Sequence, residues 1–274
     1  MKQAIQYVFN SRNCFGMKNK WALITGASSG IGKELALIHA NKGGNLVLLA
    51  RREKELQELR GQIIESFNVT VHVITIDLTE QKAISIVMKF LSEQQITIDV
   101  LMNNAGFGGY GLFVDRSISA DLNMVDLNIK TLIALTHAVL PNMKKQGSGY
   151  ILNTASTAGF LPGPLQATYF ATKAFVVSFT EAISYELKDT GISVTALCPG
   201  PVKTEFEKTA GMEGGNFFEK AMSAELTAKR AYRAMENKRV IFISEYPLGF
   251  ALRYVLPLIP RRWQAAMVYR LQKM

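Results

Sequence analysis

From Trp21 onward, short apolar runs alternate with longer segments whose apolar residues recur every three or four positions. The runs WALIT, NLVLLA, VTVHVITI, DVLMNNA, GYILNTA, ISVTALC and VIFIS are rich in aliphatic and β-branched residues and carry little polar alternation. A strand with one wet face alternates apolar and polar; a run apolar on both sides belongs to a strand covered on both faces, as in a parallel sheet. The intervening segments have helical period: in REKELQELRGQIIESF, Leu56, Leu59, Ile63 and Phe67 line one face. Strand followed by helix over most of the chain predicts an α/β domain, a doubly wound parallel sheet of about seven strands with helices on both faces. Right-handed crossovers then gather the loops after the strands on one edge, where ligands bind. No internal repeat or low-complexity linker breaks the pattern, so residues 1–274 read as a single domain.

Composition narrows the partners. With 274 residues, 48% of them hydrophobic and 19% charged, the chain is long enough to bury a large core. Its 31 Lys+Arg against 22 Asp+Glu give a net charge of +9, which suits an anionic cofactor, nucleic acid or an acidic membrane surface. The basic residues are spread rather than gathered with exposed aromatics, which argues against nucleic acid. Cys14 and Cys198 form no C-x-x-C pair, as expected of a reduced cytoplasmic chain. His39, His72 and His137 fall in different elements without ligand spacing, so no metal is expected and each reads as a packing or surface residue. No uncharged apolar run reaches spanning length, and MKQAIQYVFNSRNCFGMKNK lacks the apolar block and cleavage site of a signal peptide. A cytoplasmic location follows as the expectation.

TGASSGIG, Thr25 to Gly32, lies between the strand-like WALIT and the helix-like KELALIHANKGG. Gly26 permits a sharp turn out of the strand, Gly30 lets backbone approach a pyrophosphate, and Gly32 lets the helix pack tightly on the sheet. The start of the helix offers free N–H groups to a phosphate. In this setting the loop reads as a dinucleotide site, with Ser28, Ser29 and Ile31 as further contacts.

The spacing G-x-x-x-G-x-G resembles that of the short-chain dehydrogenase/reductase family, and further motifs follow in that family's order. Asn103, Asn104, Ala105 and Gly106 match its strand-four motif, and Asp77, followed by Leu78, matches the acidic residue that faces the adenine ring. Pro199 and Gly200 match its later turn, followed by Val202 and by Thr204, where a threonine commonly reaches the nicotinamide carboxamide. The likeness runs from about Trp21 to Ile243 and implies a Rossmann-type fold and a nicotinamide cofactor. NAD-users usually place an acid at the end of the second strand. Here NLVLLARRE puts Ala50 there, followed by Arg51 and Arg52. A guanidinium suits a 2′-phosphate, so NADP(H) is favoured over NAD(H), with Arg51 as the main contact and Ser28 as a second.

Two stretches share a spacing: YFATK, from Tyr169 to Lys173, and YRLQK, from Tyr269 to Lys273. Residues four apart share a helix face, and a nearby ammonium favours a phenolate. Only the first pair has companions. The resemblance places a serine thirteen residues before the tyrosine, which is Ser156, and an asparagine on the preceding helix, which is Asn128 in DLNIKTLIALTHAVL. It implies that Tyr169 donates the proton to a carbonyl oxygen, Ser156 hydrogen-bonds that oxygen, and Lys173 lowers the tyrosine pKa and holds the nicotinamide ribose. Asn128 would position a water for proton relay. Thirteen residues before Tyr269 stands Leu256, so that second pair reads as an ordinary helix.

For the substrate, Phe107, Tyr110 and Phe113 after the fourth strand and Phe160 and Leu161 after Ser156 suggest an apolar pocket. Residues 201–222, with Phe206, Met212, Phe217 and Phe218, read as a substrate lid. The reading is an NADP(H)-dependent oxidoreductase interconverting a hydrophobic carbonyl and its alcohol, against a 3-oxoacyl thioester reductase specifically or a dinucleotide-sensing protein without catalysis. The resemblance also implies a homodimer or homotetramer. Residues 246–274 form an apolar and basic extension, broken by prolines at 247, 257 and 260. It packs on the domain or a partner subunit, or else lies on an anionic membrane surface.

Overall fold

The computed structural model describes residues 16–212 and 221–273; Cys14, most of the first twenty residues, and Phe217 and Phe218 of the expected lid lie outside them. Each run read as a strand enters one sheet: β1 (Trp21–Thr25), β2 (Asn45–Ala50), β3 (Val71–Thr75), β4 (Val100–Asn103), β5 (Gly149–Thr154), β6 (Ile192–Cys198) and β9 (Ile241–Ile243). The order is β3-β2-β1-β4-β5-β6-β9 and every pairing is parallel. The chain therefore winds outward from β1 to β3, then returns to place β4 on the other side of β1. That reversal opens a crevice above β1 and β4. A separate parallel pair, β7 (Val202–Lys203) with β8 (Met222–Ser223), ties together the two ends of the expected lid.

Both faces of the sheet are covered, which is why its strands carry no polar alternation. Ala22, Ile24, Leu46, Leu48, Val100 and Met102 point to one side, against α1 (Gly30–Asn41), α2 (Glu53–Ser66) and α8 (Ala224–Glu236). Leu23, Val47, Leu49, Leu101 and Ile151 point to the other, against α3 (Ala83–Glu93), α5 (Leu132–Gln146) and α6 (Ala167–Glu186). Successive residues of a strand thus supply two cores. The segment α4 (Ile118–Val125) runs into α5 through a π-turn, Asp126–Thr131, so the helix expected around Asn128 carries a widened turn at that residue.

Two of the three histidines have packing roles. His39 is fully buried, with Nε2 3.0 Å from the Lys20 carbonyl and Nδ1 2.7 Å from the Tyr232 hydroxyl. A carbonyl only accepts, so Nε2 carries the proton and Tyr232 donates to Nδ1. His72 stacks on Trp21 with ring centroids 5.5 Å apart. His137 is exposed on α5.

The short helix α7 (Phe206–Thr209) falls within the expected lid and precedes β8, whereas the tail after β9 comprises α9 (Tyr246–Phe250), a π-turn (Ala251–Val255), a 3-10 turn (Leu256–Leu258) and α10 (Arg261–Gln272). The prolines do break the tail into short pieces. It packs on its own domain: Leu252, Leu256, Gln264, Val268 and Gln272 are buried, and the Tyr110 hydroxyl donates to the Gln272 carbonyl at 2.7 Å. No helix among the described residues is long and apolar enough to cross a membrane.

Candidate active site

The glycine loop leaves β1 and enters α1 at the crevice. Gly26 and Gly30 have φ of +66° and +54°, where a side chain would strain the backbone. A Cβ at Gly32 would lie 2.3 Å from the Gly26 carbonyl oxygen, so the tight approach of helix to loop requires glycine there. Ser29 precedes the helix in extended conformation and its side chain caps no N–H. The first amides of α1 therefore remain available to an anion, with Ile31 packed behind them on the core. The loop is braced from β4: the Thr25 hydroxyl accepts from the amides of Asn104 and Ala105, both at 2.9 Å, and Asn104 donates back to the Thr25 carbonyl at 3.1 Å. This cradle fits a pyrophosphate.

The two arginines after β2 part company. Arg52 turns over the glycine loop, with Nη2 3.1 Å from Ser28 Oγ and 2.9 Å from the carboxylate of Glu205. Arg51 is mostly exposed and leans instead towards Asp77, at 3.6 Å. The arginine that touches Ser28 is thus Arg52 rather than Arg51. Sequence reasoning named Arg52 only beside Arg51 and passed over Glu205. Two adjacent arginines give no signal for which turns inward, and nothing in the chain near Glu205 points to Ser28. Burial acts to raise the Asp77 pKa, but hydrogen bonds from the Thr79 amide and hydroxyl and the Arg51 charge outweigh it and hold it below the ordinary carboxylate value. The Leu78 carbonyl accepts from the Thr131 hydroxyl at 2.9 Å, fixing the π-turn to this edge.

Asn128, Ser156, Tyr169 and Lys173 come from three elements and converge at the ends of β4, β5 and β6. Ser156 follows β5; its hydroxyl accepts from the Ala158 amide at 3.1 Å and donates to the Pro199 carbonyl at 3.3 Å. Tyr169 and Lys173 stand one turn apart on α6, both buried, with Lys173 Nζ 5.8 Å from the tyrosine ring centre. Lys173 Nζ donates to the Thr154 carbonyl at 2.7 Å. Asn128 clamps the loop after β4, accepting from the Phe107 amide at 3.1 Å and donating to its carbonyl at 3.0 Å; the same amide donates to Thr172 at 3.1 Å. A Cβ at Gly106 would meet Asn128 Oδ1 at 2.9 Å and Lys173 Nζ at 3.5 Å, so glycine there lets both side chains approach the same point.

Burial dominates the protonation of the pair. It pushes the Tyr169 phenol up to about 12, with Ser156 pulling the other way, and brings the Lys173 ammonium down to about 8. The lowering of the tyrosine by the lysine, expected from the sequence, is not what the geometry yields. The ammonium points at a carbonyl and desolvation of the phenolate wins. The phenol is neutral at physiological pH and holds a proton that it can donate.

Apolar groups surround the tyrosine. Phe206 on α7 lies against it with ring centroids 5.3 Å apart, and Phe107, Leu161, Phe170 and Val268 of α10 complete the cluster. Met212 is buried, and Phe160 packs against the Val176 side of α6. Phe113, expected in the pocket, is 63% exposed, and Tyr110 spends its hydroxyl on α10. Gly200 donates to Glu245, Val202 is buried in β7, and the Thr204 methyl would lie 3.0 Å from a Cβ at Gly30, so the Pro199–Thr204 stretch closes the crevice over the glycine loop. Tyr269 and Lys273, the second pair with tyrosine–lysine spacing, are exposed on α10 with no such surroundings.

Known proteins share this plan. A family model described as short chain dehydrogenase matches residues 20–213. Over 189 residues the chain is 40% identical to sulfoacetaldehyde reductase 2 of Chromohalobacter salexigens, covering 67% of this chain and 73% of that protein. Among solved structures, a short-chain dehydrogenase from Sphingobium yanoikuyae in complex with NADPH aligns with a TM-score of 0.77 at 30% identity, covering 88% of this chain and 97% of that one. A bulky-bulky ketone specific alcohol dehydrogenase from Comamonas testosteroni aligns at 0.74 and 32% identity, covering 88% and 95%. With the family model spanning most of the sheet and its crevice, the chain belongs to the short-chain dehydrogenase family of oxidoreductases.

Proposed function

We propose that the protein is an NADP(H)-dependent reductase, or in reverse a dehydrogenase, that interconverts a hydrophobic carbonyl compound and its alcohol. The observation that carries this reading is the meeting of Ser156, Tyr169 and Lys173 in an apolar cluster beside the glycine cradle. Bound NADPH supplies the hydride that reduces the carbonyl carbon. Ser156 donates a hydrogen bond to the substrate oxygen and Tyr169 gives up its proton as that oxygen gains charge. Lys173 would hold the nicotinamide ribose and, as an ammonium, stabilise the phenolate that Tyr169 leaves behind. Asn128 fixes the loop beside them and positions the water through which the proton is restored. Phe206 and Val268 keep bulk water from the reacting oxygen.

The 2′-phosphate of NADPH would lie on Arg52 and Ser28, whose contact supports the NADP(H) preference; Arg51 and Asp77 would flank the adenine. The NADPH held by the Sphingobium relative accords with this. Sulfoacetaldehyde, the compound named for the Chromohalobacter relative, is a small anion. The groups around Tyr169 here are apolar, and the nearby Arg116 guanidinium is already paired with Asp121. The bulky ketones named for the Comamonas enzyme fit these surroundings better. Residues 201–222 would act as the lid, and a cytoplasmic homodimer or homotetramer joined through α5 and α6 belongs to the same reading, with Ile133 and Tyr185 exposed on those helices.

An NADPH-oxidation screen over ketones, aldehydes, steroids, sulfoacetaldehyde and 3-oxoacyl thioesters tests it, with kcat/KM compared for NADPH and NADH on the best substrate. Turnover of apolar ketones with NADPH preferred is the expected result. Thioesters alone as substrates would narrow the activity to a 3-oxoacyl reductase, and no turnover of any class would favour a dinucleotide-sensing protein.

A further inference from the structure

Packing and membrane contact were alternatives for the tail in the sequence; in the folded chain they fall on different faces. On α10, Gln264, Val268 and Gln272 repeat every four residues and are buried against the domain. One position earlier, Trp263, Met267 and Leu271 repeat with the same spacing and are 69%, 37% and 65% exposed. The two rows lie about 100° apart around the helix. Earlier in the tail, Leu258, Val255, Tyr254 and Phe250 are exposed as well. At the far end, the Tyr110–Gln272 hydrogen bond ties α10 to the loop that carries the exposed turn of Leu112, Phe113 and Val114.

The charges of the tail have one sign, and the neighbouring turn adds a single exposed acid, Asp115. Residues 246–274 contain no aspartate or glutamate, and Arg253, Arg261, Arg262, Arg270 and Lys273 are all exposed. An open groove of about 470 Å³ sets the apolar walls of Phe160, Leu258 and Ile259 beside the Arg261 guanidinium. That combination accepts a hydrocarbon chain next to a phosphate. A second copy of the chain is the wrong occupant: a two-fold contact through this face would set the same cations against themselves. Anionic headgroups offer the opposite charge over a wide area, and an indole such as that of Trp263 partitions to headgroup depth.

We propose that this face docks the protein on an anionic lipid bilayer, with α10 lying in the interface, its inner row against the domain and its outer row in the lipid. Val268 touches the cluster that contains Tyr169, so the helix that meets the membrane is also a wall of the site. On the reductase reading above, apolar substrates dissolved in the bilayer would then reach Tyr169 along the edge of α10. The docking itself does not depend on that reading.

The test reads binding without turnover. The chain has two tryptophans, so a Trp21→Phe variant leaves Trp263 as the only reporter. With vesicles containing phosphatidylglycerol at low salt, its emission is expected to shift to the blue and the protein to co-sediment, both reversed at high salt. Vesicles of phosphatidylcholine alone should bind far less. The double variant Arg262→Gln/Arg270→Gln should weaken binding about twenty-five-fold, at roughly fivefold per cation, with an unchanged thermal melt. Trp263→Ser should weaken it without altering the molecular mass in solution. Failure to sediment with phosphatidylglycerol vesicles, salt-independent binding, or full binding by the double variant overturns the proposal. So does a fall in oligomeric mass on Trp263→Ser, which would assign the face to a second copy.

Discussion

The Lys173 ammonium is buried with a single carbonyl partner, and its pKa falls from 10.5 to about 8. The unfolded chain holds that proton more tightly than the folded one, so at neutral pH the buried charge costs about 3 kcal/mol. The cost fades as pH rises from about 8 to 10.5. A Lys173→Met variant should therefore be more stable than the parent at pH 7, by about 1–2 kcal/mol once the lost hydrogen bond to Thr154 is counted. It should also be nearly inactive; a lower denaturant midpoint would show that the buried ammonium is not a burden. Tyr169→Phe removes only the proton that this reading assigns to the reaction. Its kcat should fall more than about a hundredfold while NADPH affinity, measured by fluorescence titration, stays within a few-fold. That Tyr169 and Lys173 share a helix face was legible from their spacing; Ser156 and Asn128 were named only through the family resemblance, because nothing local to either points to the tyrosine. The placement of Arg52 was not legible. Which of two consecutive arginines at a strand end turns towards Ser28 depends on dihedral angles that the residue types do not encode.

At the scale of elements, one carboxylate just before the short α7, that of Glu205, ties the expected lid to the arginine over the glycine loop. Glu205 hydrogen-bonds Arg52 and Ser29, which lowers its pKa, and so occupies the guanidinium that a 2′-phosphate would use. Glu205→Gln should lower KM for NADPH several-fold and leave KM for NADH unchanged, since the pair is solvent-exposed and worth little to folding. Equal effects on both cofactors would place the phosphate elsewhere. The seven main strands were all read correctly because the inner ones bury both faces and even the half-covered edge strands β3 and β9 stay apolar, which the runs record as missing alternation. The π-turn at Asn128 was not readable: its helix has ordinary period, and the extra residue in the turn answers to Phe107 and Thr172, far away in sequence. The two short strands β7 and β8 pair across the lid and leave no pattern of two residues that could announce them.

Across the whole molecule, His39 joins α1, α8 and the segment before β1 around one neutral imidazole. Burial lowers its pKa from 6.5 to about 4. Below 6.5 the unfolded chain takes up the proton and the folded one does not, so stability that is full above pH 6.5 is lost as pH falls towards 4, by about 3 kcal/mol in all. Urea midpoints measured across that window should drop steeply for the parent and less for His39→Gln; parallel curves would remove His39 as the cause. The sequence by itself determined the order of the seven main strands and their helices, the glycine cradle and the shared helix face of Tyr169 and Lys173, because these depend on neighbours within a turn or a strand, where backbone geometry carries the information. Only the tertiary structure decided which arginine reaches the glycine loop, that the lid carboxylate meets it there, and that the tail divides its apolar residues between the active-site cluster and the outside. Each of those depends on surfaces that meet across long separations in the chain, where residue type is common to many arrangements and only packing selects one.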